Sequence, residues 1–377
     1  MIRDGNGANR VIIYSEVDWD FLDQRHHHLA RHFLGRGLEV HFVERVVNRI
    51  PPLGELLARL WRGFRGQAGE AAPRKPVPPG LALRRSPFLP HVYRIFRPIN
   101  YWIWWVLERR RQQGALVYSF VDNPVLFGGR LHRYRKSCLA VFDIIHNWWD
   151  FPWHRDFHRR AVAQTLELAE RVICDSPAVR ERYLPEALPV HLMLPGVAPE
   201  WFSDASLRQS SGDAIEPAPV FFGNLRGNSD LAFVEEVSRT LGLTFYGILS
   251  GEAAQSIPSL VNRGQLDAKR LPAAVAEYNI VVLPYNRDQF SATISPAKYF
   301  EALASGALLI TRASLSHLPG FDRFCLLLDD AQGADLRAKI VDRLKIHQRN
   351  REEQIEFAKT QSWACRFEAL EVFLGEG

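Results

Sequence analysis

Two charged side chains, Lys298 and Glu301, lie one turn apart in a segment that reads as a short, capped helix. Ser295 is predicted to be its N-cap and Pro296 its first helical residue, while Gly306 ends it. A helix start offers free backbone N–H groups and the positive end of a dipole, so its chemistry is anion binding. Lys298 adds a cation suited to a diphosphate, and Glu301 can accept hydrogen bonds from a ribose diol. The same residues also occur on ordinary solvated helices, and that alternative stays open.

A second group of polar residues follows an apolar strand in the first half of the chain. In the loop Asp143–Trp153, His146 or Asp143 has the chemistry of a general base that takes a proton from a hydroxyl group. Asp18 follows the first strand and is a further candidate base, while Asp20 is interpreted as a loop carboxylate. A histidine after a strand is also commonly a structural hydrogen-bonding residue, so this alternative stays open as well.

The sequence shows no pattern typical of a metal site or of several common enzyme classes. His26, His27 and His28 are consecutive, so on a helix they diverge by about 100° each and cannot converge on one metal. The four cysteines stand far apart with no CxxC pair, which favours a reducing compartment. There is no HExxH, GxxxxGK, GxSxG or strand-following GxGxxG, which argues against a protease, kinase, esterase or dehydrogenase. We predict neither a cofactor nor a metal.

The composition is that of a globular enzyme. The 377 residues, 47% of them hydrophobic and 24% charged, are enough for two domains. The start, Met1–Asn9, is polar, and the longest wholly apolar run, Tyr101–Leu107, is far below the ~20 residues of a spanning helix. These features predict a cytoplasmic protein without a membrane span.

Apolar strand patterns alternate with helical patterns along nearly the whole chain, which is typical of parallel sheets covered by helices. The predicted strands of the first half are Arg10–Ser15, Leu38–Glu44, Ala115–Phe120, Leu139–Ile145, Arg171–Ser176 and Val190–Pro195. Those of the second half are Val220–Gly223, Thr244–Leu249, Ile280–Pro284, Ala307–Thr311 and Cys325–Leu328. We therefore predict the fold class α/β, with two doubly wound, Rossmann-like domains that face a cleft.

The predicted domains are 1–198 and 199–362, and a C-terminal helix at 363–377 is expected to cross back to the first domain. The first domain contains an insertion at 45–113, because the segment between its second and third strands is too long for a simple crossover. The Ser-, Asp- and Pro-rich run Pro199–Pro219 is interpreted as the interdomain linker.

The insertion is basic and aromatic. Residues 1–190 carry 29 Lys and Arg against 19 Asp and Glu, and between 71 and 111 the balance is nine to one. Indoles beside arginines in a non-spanning segment are what a helix on an anionic membrane surface needs. The predicted membrane-contact residues are Trp102, Trp104, Trp105, Arg109, Arg110 and Arg111. The alternative is that the aromatic side chains pack inside the first domain. No nucleic-acid motif accompanies the basic excess, so no nucleic-acid partner is predicted.

The segment Pro296–Gly306 resembles the donor-binding motif of GT-B glycosyltransferases, especially the family 4-like group, which carries Pro-x-Lys-x-x-Glu-x-Leu-Ala-x-Gly there. Asp18–Asp20, Arg171–Ser176, Leu194–Phe202 and Val220–Asn224 are similar to further segments of these enzymes. The resemblance implies transfer of a sugar from a nucleotide-diphosphate sugar to an acceptor, with retention of the anomeric configuration and without a metal.

The resemblance also implies a set of donor-binding residues. They are Gly223, Asn224, Arg226, Ser295, Lys298, Glu301 and Thr293. Asn224 stands where these enzymes have an arginine, with Arg226 as the candidate substitute. Thr293 stands where the first of two glutamates is usual, and Glu301, the second, is assigned to the ribose. A His or Asp near the donor sugar is expected in the loop of Asp143 and His146.

The sequence therefore predicts a glycosyltransferase, peripheral on the inner face of the cytoplasmic membrane, acting on a lipid-linked or surface-polysaccharide glycan acceptor. Two alternatives stay open. One is a sugar-nucleotide epimerase of GT-B type, and the other is a catalytically inert GT-B module that binds glycan or scaffolds an assembly.

Overall fold

The structure is a computed structural model, and it describes residues 9–46, 75–91, 93–134, 138–145, 147, 149–150, 156–202, 216–225, 229–249 and 251–375. The chain divides into two compact units. The first takes Met1–Asp175, Val179–Met193 and Phe367–Gly377, and the second takes Ser176–Ala178 and Leu194–Arg366.

Seven parallel strands form the sheet of the first unit, in the order β3-β2-β1-β4-β5-β6-β7. Their bounds are β1 Arg10–Tyr14, β2 Glu39–Glu44, β3 Leu81–Arg85, β4 Ala115–Ser119, β5 Leu139–Ile144, β6 Arg171–Cys174 and β7 Val190–Leu192. β4 is buried along its whole length, as a strand with both faces covered must be.

Among the described residues up to 183, five α-helices accompany these strands. They are α1 Arg25–Gly35, α2 Arg97–Ile103, α3 Arg109–Arg111, α4 Asp156–Leu166 and α5 Pro177–Tyr183. Short 3₁₀ helices occupy Arg94–Phe96, Pro124–Phe127 and Gly129–Tyr134, and a π-helical stretch, Trp104–Glu108, joins α2 to α3.

Six parallel strands form the sheet of the second unit, in the order β10-β9-β8-β11-β12-β13. They are β8 Pro219–Leu225, β9 Thr244–Leu249, β10 Val261–Asn262, β11 Ile280–Leu283, β12 Leu308–Thr311 and β13 Cys325–Leu327. The remaining α-helices are α6 Leu231–Leu241, α7 Gly251–Ser256, α8 Leu271–Val275, α9 Ala297–Ser305, α10 Phe321–Phe324, α11 Gly333–Lys359 and α12 Trp363–Gly375. Two further 3₁₀ helices lie at Pro199–Phe202 and Ser291–Thr293.

The predicted α/β class with two parallel sheets is confirmed, and each predicted strand is present with its ends moved by up to three residues. Two strands went unpredicted. β10 has only two residues, and β3 lies inside the segment predicted as an insertion, where it pairs with β2. The part of that segment that forms β3 therefore belongs to the first sheet. Residues 47–74 lie outside the described residues.

The C-terminal helix α12 joins the first unit from Phe367 onward. Its Glu371 lies 2.8 Å from the Nε2 atom of His32 and accepts a hydrogen bond of 2.8 Å from Arg36, both in or beside α1. Phe373 stacks on His191, with ring centroids 5.2 Å apart. Charged and aromatic contacts thus fix the end of the chain on this unit.

Candidate functional site

The predicted donor residue Gly223 lies on the strand at which the strand order of the second unit reverses. β8 is the first strand of this unit, and β9 and β11 lie on either side of it. Ligands of open α/β sheets bind at the carboxyl ends of the strands at such a point, because the following loops diverge there. The carboxyl end of β8 carries Gly223, and the chain after β11 leads to the 3₁₀ helix Ser291–Thr293 and then to α9.

Lys298 lies directly over Gly223, near the carboxyl end of β8. A Cβ atom at Gly223 would be 2.3 Å from Cε and 2.8 Å from Nζ of Lys298, so any other residue here would displace the end of the lysine side chain. The φ angle of Gly223 is +113°, which L side chains rarely adopt. Residues 75 positions apart are thus brought together, and a cation is held beside the partly buried backbone of Gly223.

A second glycine, Gly247, allows β9 to approach Gly223 closely, and it was not predicted as a site residue from the sequence. It pairs with Gly223 across β8 and β9. A Cβ atom on Gly247 would lie 1.7 Å from the carbonyl oxygen of Gly223, so any side chain would push the two strands apart. The available signal was a glycine inside an otherwise apolar strand pattern, which marks a close backbone approach.

The helix α9 begins one residue later than predicted. Pro296 is the N-cap, with φ −74° and ψ 131°, and the N–H group of Tyr299 donates to its carbonyl oxygen. The prediction that Ser295 caps this helix is therefore wrong, because the proline ring is compatible with the extended conformation found here. Gly306 ends the helix as predicted, in the left-handed conformation with φ +70°.

Two buried hydroxyl groups precede this helix. Ser291 and Ser295 are 1% and 8% exposed, and neither Oγ atom has a hydrogen-bond partner among the described residues. A buried hydroxyl without a partner costs about 1–3 kcal/mol, so such groups are usually satisfied by water or by a ligand. Both lie between β11 and the start of α9, the helix that carries Lys298, so they are candidate groups for binding an anion there.

Glu301 lies in α9, one turn after Lys298. Burial raises its pKa to about 7, and the nearby Lys298 ammonium partly opposes this shift. Tyr285, just after β11, has its pKa raised by its own burial and by the charge of Glu301. The carboxyl group therefore titrates near neutral pH, which makes its hydrogen-bonding role dependent on pH.

The other predicted donor residues differ in their surroundings. Thr293 is buried, and its hydroxyl group donates to the carbonyl oxygen of Phe290 at 2.8 Å. Asn224 is exposed at the end of β8. Arg226 lies outside the described residues, as does the rest of 226–228. The described residues thus bring together Gly223, Lys298 and Glu301.

Asp143 occupies a very different position in the first unit. It lies within β5, is fully buried, and accepts hydrogen bonds from Arg25 at 2.8 Å and from Tyr118 at 2.6 Å. Burial raises its pKa, while the Arg25 guanidinium opposes this. Arg25 also donates to the carbonyl oxygen of Met193. Both carboxylate oxygens are engaged, so the group ties α1 to β5 and to the chain end of β7.

Asp18, a further base candidate, lies on the loop after β1. Asp18 is partly exposed and accepts hydrogen bonds from Arg45 Nε and Nη2 at 2.6 to 2.8 Å. His146 lies outside the described residues. His27 and His28 are largely buried, and burial lowers the pKa of each to about 4, so both are neutral at pH 7. Within the described ranges, no three His, Cys, Asp or Glu side chains group as a metal site.

The predicted membrane-contact residues do not share one environment. Trp102 and Trp105 are 65% and 40% exposed, and Arg110 is exposed. Trp104 is fully buried, with its ring nitrogen donating to Gln112 at 3.1 Å. Membrane contact through Trp104 is therefore wrong, because its indole packs into the core of the first unit. In the part of the chain that the structure describes, no helix is long and apolar enough to cross a bilayer.

Comparison with known proteins finds similarity only in three dimensions. No family model matches the chain, and no curated protein matches its sequence. Sucrose-phosphate synthase from Thermosynechococcus elongatus superposes with a TM-score of 0.64 at 15% identity, covering 97% of this chain and 98% of that chain. WaaG, a glycosyltransferase involved in lipopolysaccharide biosynthesis, gives 0.60 at 12% identity, covering 96% and 99%.

A third similar structure contains a ligand. HepE from Anabaena, in complex with UDP-glucose, superposes with a TM-score of 0.58 at 11% identity, covering 98% of this chain and all of that chain. Each of these three structures aligns with this chain over nearly its whole length. The GT-B fold predicted from the sequence resemblance is confirmed. Identity this low shows the fold alone.

Proposed function

We propose that the protein is a glycosyltransferase that takes its sugar from a nucleotide-diphosphate donor bound in the second unit. The observation that carries this proposal is the contact of Lys298 with Gly223 at the switch point of the sheet, with Glu301 one turn away. The GT-B fold adds support, because HepE, which has this fold, was solved with UDP-glucose. A cation and a helix start match the diphosphate of such a donor, and an ionisable carboxyl group matches its ribose hydroxyl groups.

Each group has a distinct role in the proposed reaction. The bond between the sugar C1 and the phosphate oxygen breaks, and negative charge grows on the leaving diphosphate. Lys298 and the N–H groups at the start of α9 stabilise that charge, as fixed dipoles and cations do in a site shielded from water. Ionised Glu301 accepts hydrogen bonds from the ribose hydroxyl groups and so positions the nucleotide.

The acceptor hydroxyl forms the new bond to C1 and loses its proton to a base of the first unit. Asp143 is fully engaged by Arg25 and Tyr118, so its proposed role is to position α1. Asp18 and His146 remain as the candidate bases. By resemblance to the family, we propose a reaction that retains the anomeric configuration and needs no metal.

For the acceptor we propose a lipid-linked or surface-polysaccharide glycan at the inner face of the cytoplasmic membrane. This rests on the basic, aromatic character of the first unit, which is the acceptor side in the proposed reaction. The fold is also shared with WaaG, an enzyme of lipopolysaccharide biosynthesis.

A thermal-shift panel of UDP, GDP, ADP, CMP and TDP tests the donor site. We expect one nucleotide to raise the melting temperature, because a ligand that binds only the folded state stabilises it. Lys298→Ala and Glu301→Ala should remove this shift. Lys345→Ala is the matched control, because this exposed lysine of α11 pairs only with Asp342 in the structure. Absence of any shift would favour an inert module.

A second measurement separates transfer from epimerisation. Nucleotide release from the donor should depend on an added glycan acceptor if the protein is a transferase. An epimerase would convert the donor, with no need for an acceptor.

A further inference from the structure

One helical segment of the first unit has two faces of opposite construction. We call this segment the arginine helix: it runs through the 3₁₀ helix Arg94–Phe96, then α2, the π-helical stretch and α3, ending at Arg111. Its inward face consists of Asn100, Ile103, Trp104 and Glu108, all at most 9% exposed. The segment therefore belongs to the core of the unit along one side.

Polar contacts fix this inward face. Glu108 is fully buried and accepts hydrogen bonds from Tyr14 at 2.7 Å, Arg84 at 2.8 Å and Arg111 at 2.9 Å. Asn100 donates to the carbonyl oxygen of Leu89 and accepts from its N–H group, both at 2.9 Å. The rotation of the arginine helix about its axis is thus set by the fold, and so is the face that it presents outward.

The outward face is apolar. Ile95, Ile99, Trp102 and Val106 are 77%, 47%, 65% and 47% exposed. Ile99 and Trp102, three residues apart in α2, share one face of that helix, while Ile95 precedes them in the 3₁₀ helix and Val106 follows in the π-helical stretch. We call these four exposed side chains the apolar stripe. A surface helix normally turns charged or polar residues to water. An exposed contiguous apolar surface of this kind marks a binding surface.

Arginines border the apolar stripe, and aromatic rings hold two of them in place. The guanidinium of Arg109 lies 4.4 Å from the ring centre of Trp105 and donates to the carbonyl oxygen of Tyr134. Arg133 lies 4.8 Å from the ring of Tyr134, which packs edge-on against Trp105 at 5.3 Å. Arg94, Arg110 and Arg130 are exposed nearby in the sequence. The single acid of the arginine helix, Glu108, points inward.

We propose that the apolar stripe and its arginine border form a docking surface for an anionic lipid bilayer. The four apolar side chains enter the acyl region, and the arginines meet lipid phosphates, the arrangement expected of an interfacial helix. A nucleic acid would leave Ile95 and Ile99 without apolar partners. A second copy of the chain would bring like charges together. The docking surface brings the protein to the proposed membrane-side acceptor, so its biological role rests on the proposed function. Binding to the bilayer itself requires no catalysis.

Vesicle flotation tests this docking surface. Protein without nucleotide is mixed with vesicles of phosphatidylglycerol and phosphatidylcholine, or of phosphatidylcholine alone. We expect flotation with the anionic vesicles and little with the neutral ones. The combined variant Ile95→Ser, Ile99→Ser, Trp102→Ser should lower the partition constant at least about tenfold. Its control is Ile346→Ser with Val372→Ser, two residues that are about half exposed elsewhere.

Charge reversal tests the border separately. Arg94→Glu with Arg133→Glu should also lower partition at least about tenfold. Lys339→Glu with Lys345→Glu in α11 reverses the same number of charges and should leave partition nearly unchanged. Equal loss in variant and control would mean that overall charge, rather than this surface, drives binding, and would overturn the proposal.

Depth-dependent fluorescence quenching by brominated lipids gives a third readout. Quenching should occur on anionic vesicles and fall sharply in Trp102→Phe, because this indole is exposed on the apolar stripe. All variants should keep the wild-type melting temperature and nucleotide shift, since none touches the core or the donor pocket. Unchanged flotation of the stripe variant would overturn the docking surface and leave the donor proposal intact. If Lys345→Ala lost the nucleotide-induced shift in melting temperature, only the donor proposal would be contradicted.

Discussion

Both units place buried polar groups at their parallel sheets, but the two sets are completed differently. In the first unit, Arg25, Asp143 and Tyr118 complete one another through hydrogen bonds of 2.6 to 2.8 Å. In the second, the hydroxyl groups of Ser291 and Ser295 are buried without a partner in the described residues. A completed network holds a fold together, whereas an incomplete one leaves donors and acceptors for a ligand.

The two sets of candidate residues therefore rank differently as groups that could bind or act on a substrate. Asp143 has the right residue type for a base, but its oxygens are already used. Lys298 lies against Gly223 in β8, and Glu301 follows one turn later in the same helix. The chemistry available to a substrate therefore depends on the atoms left over after folding, not on residue type alone.

The largest expected effect comes from breaking the completed network. Asp143→Ala leaves the buried Arg25 without its counter-charge, which typically costs 3–5 kcal/mol. We expect a loss of about that size in the free energy of unfolding, measured by urea denaturation. Asp143→Asn, which keeps an acceptor oxygen, should lose less. If Asp143→Ala kept the wild-type free energy of unfolding but lost glycosyl-transfer activity, the carboxylate would instead take part in the reaction.

Lys298→Ala should act in the opposite way, on binding rather than on stability. A hydrogen bond to a charged group is worth about 1.5–3 kcal/mol, so nucleotide affinity should fall by about 10- to 150-fold. Titration calorimetry with the nucleotide selected by the thermal-shift panel measures this. The free energy of unfolding should change by less than about 0.5 kcal/mol. A stability loss as large as that of Asp143→Ala would show that the lysine is structural.

The pH dependence of nucleotide binding should report Glu301. Because burial raises its pKa to about 7, the carboxyl group is protonated below that pH and accepts ribose hydrogen bonds poorly. Affinity should therefore rise as pH increases from 5 through 7, by up to about tenfold per pH unit, and then level off. The raised pKa also means that folding stability falls over the range from pH 4.5 to 7.

Glu301→Gln is the matched control for this titration. Its binding should vary with pH only as the phosphate of the nucleotide ionises, since the carboxyl group is gone. Identical pH profiles for variant and wild type would contradict the assignment of Glu301 to the donor.

Ser295→Ala should have the smallest effect. The sign of its change in unfolding free energy shows whether this hydroxyl group is left without a partner, unlike the completed network of Asp143. Removing a buried hydroxyl without a partner should leave the unfolding free energy unchanged or raise it by up to about 1 kcal/mol. Nucleotide affinity should fall a few-fold, because one hydrogen bond to the ligand is lost. A destabilised variant would show that this hydroxyl is already satisfied in the free protein.

The sequence predicted most of the fold because parallel strands buried on both faces are continuous apolar runs. β3 was missed because it ends in two arginines and lies among prolines and glycines, far from the next predicted strand. α9 was found because Pro296 and Gly306 mark its ends within one residue. Local signals of this kind are available without tertiary contacts.

The features that could not be predicted from the sequence depend on contacts between residues far apart in the chain. Arg25 and Asp143 are 118 positions apart, and nothing local to either residue indicates the pair. The π-helical stretch Trp104–Glu108 departs from the usual helical period, so spacing alone does not tell that Trp104 points inward and Trp102 outward. Gly247 matters only because Gly223 faces it on the neighbouring strand.

The central proposal is that a nucleoside diphosphate binds between Gly223 of β8 and the start of α9. A crystal structure of the protein with the nucleotide that gives the largest thermal shift tests it most directly. The claim predicts a phosphate within hydrogen-bond distance of Lys298 Nζ and the ribose hydroxyl groups beside Glu301. Well-defined nucleotide density elsewhere, with this pocket empty or filled by protein side chains, would contradict it.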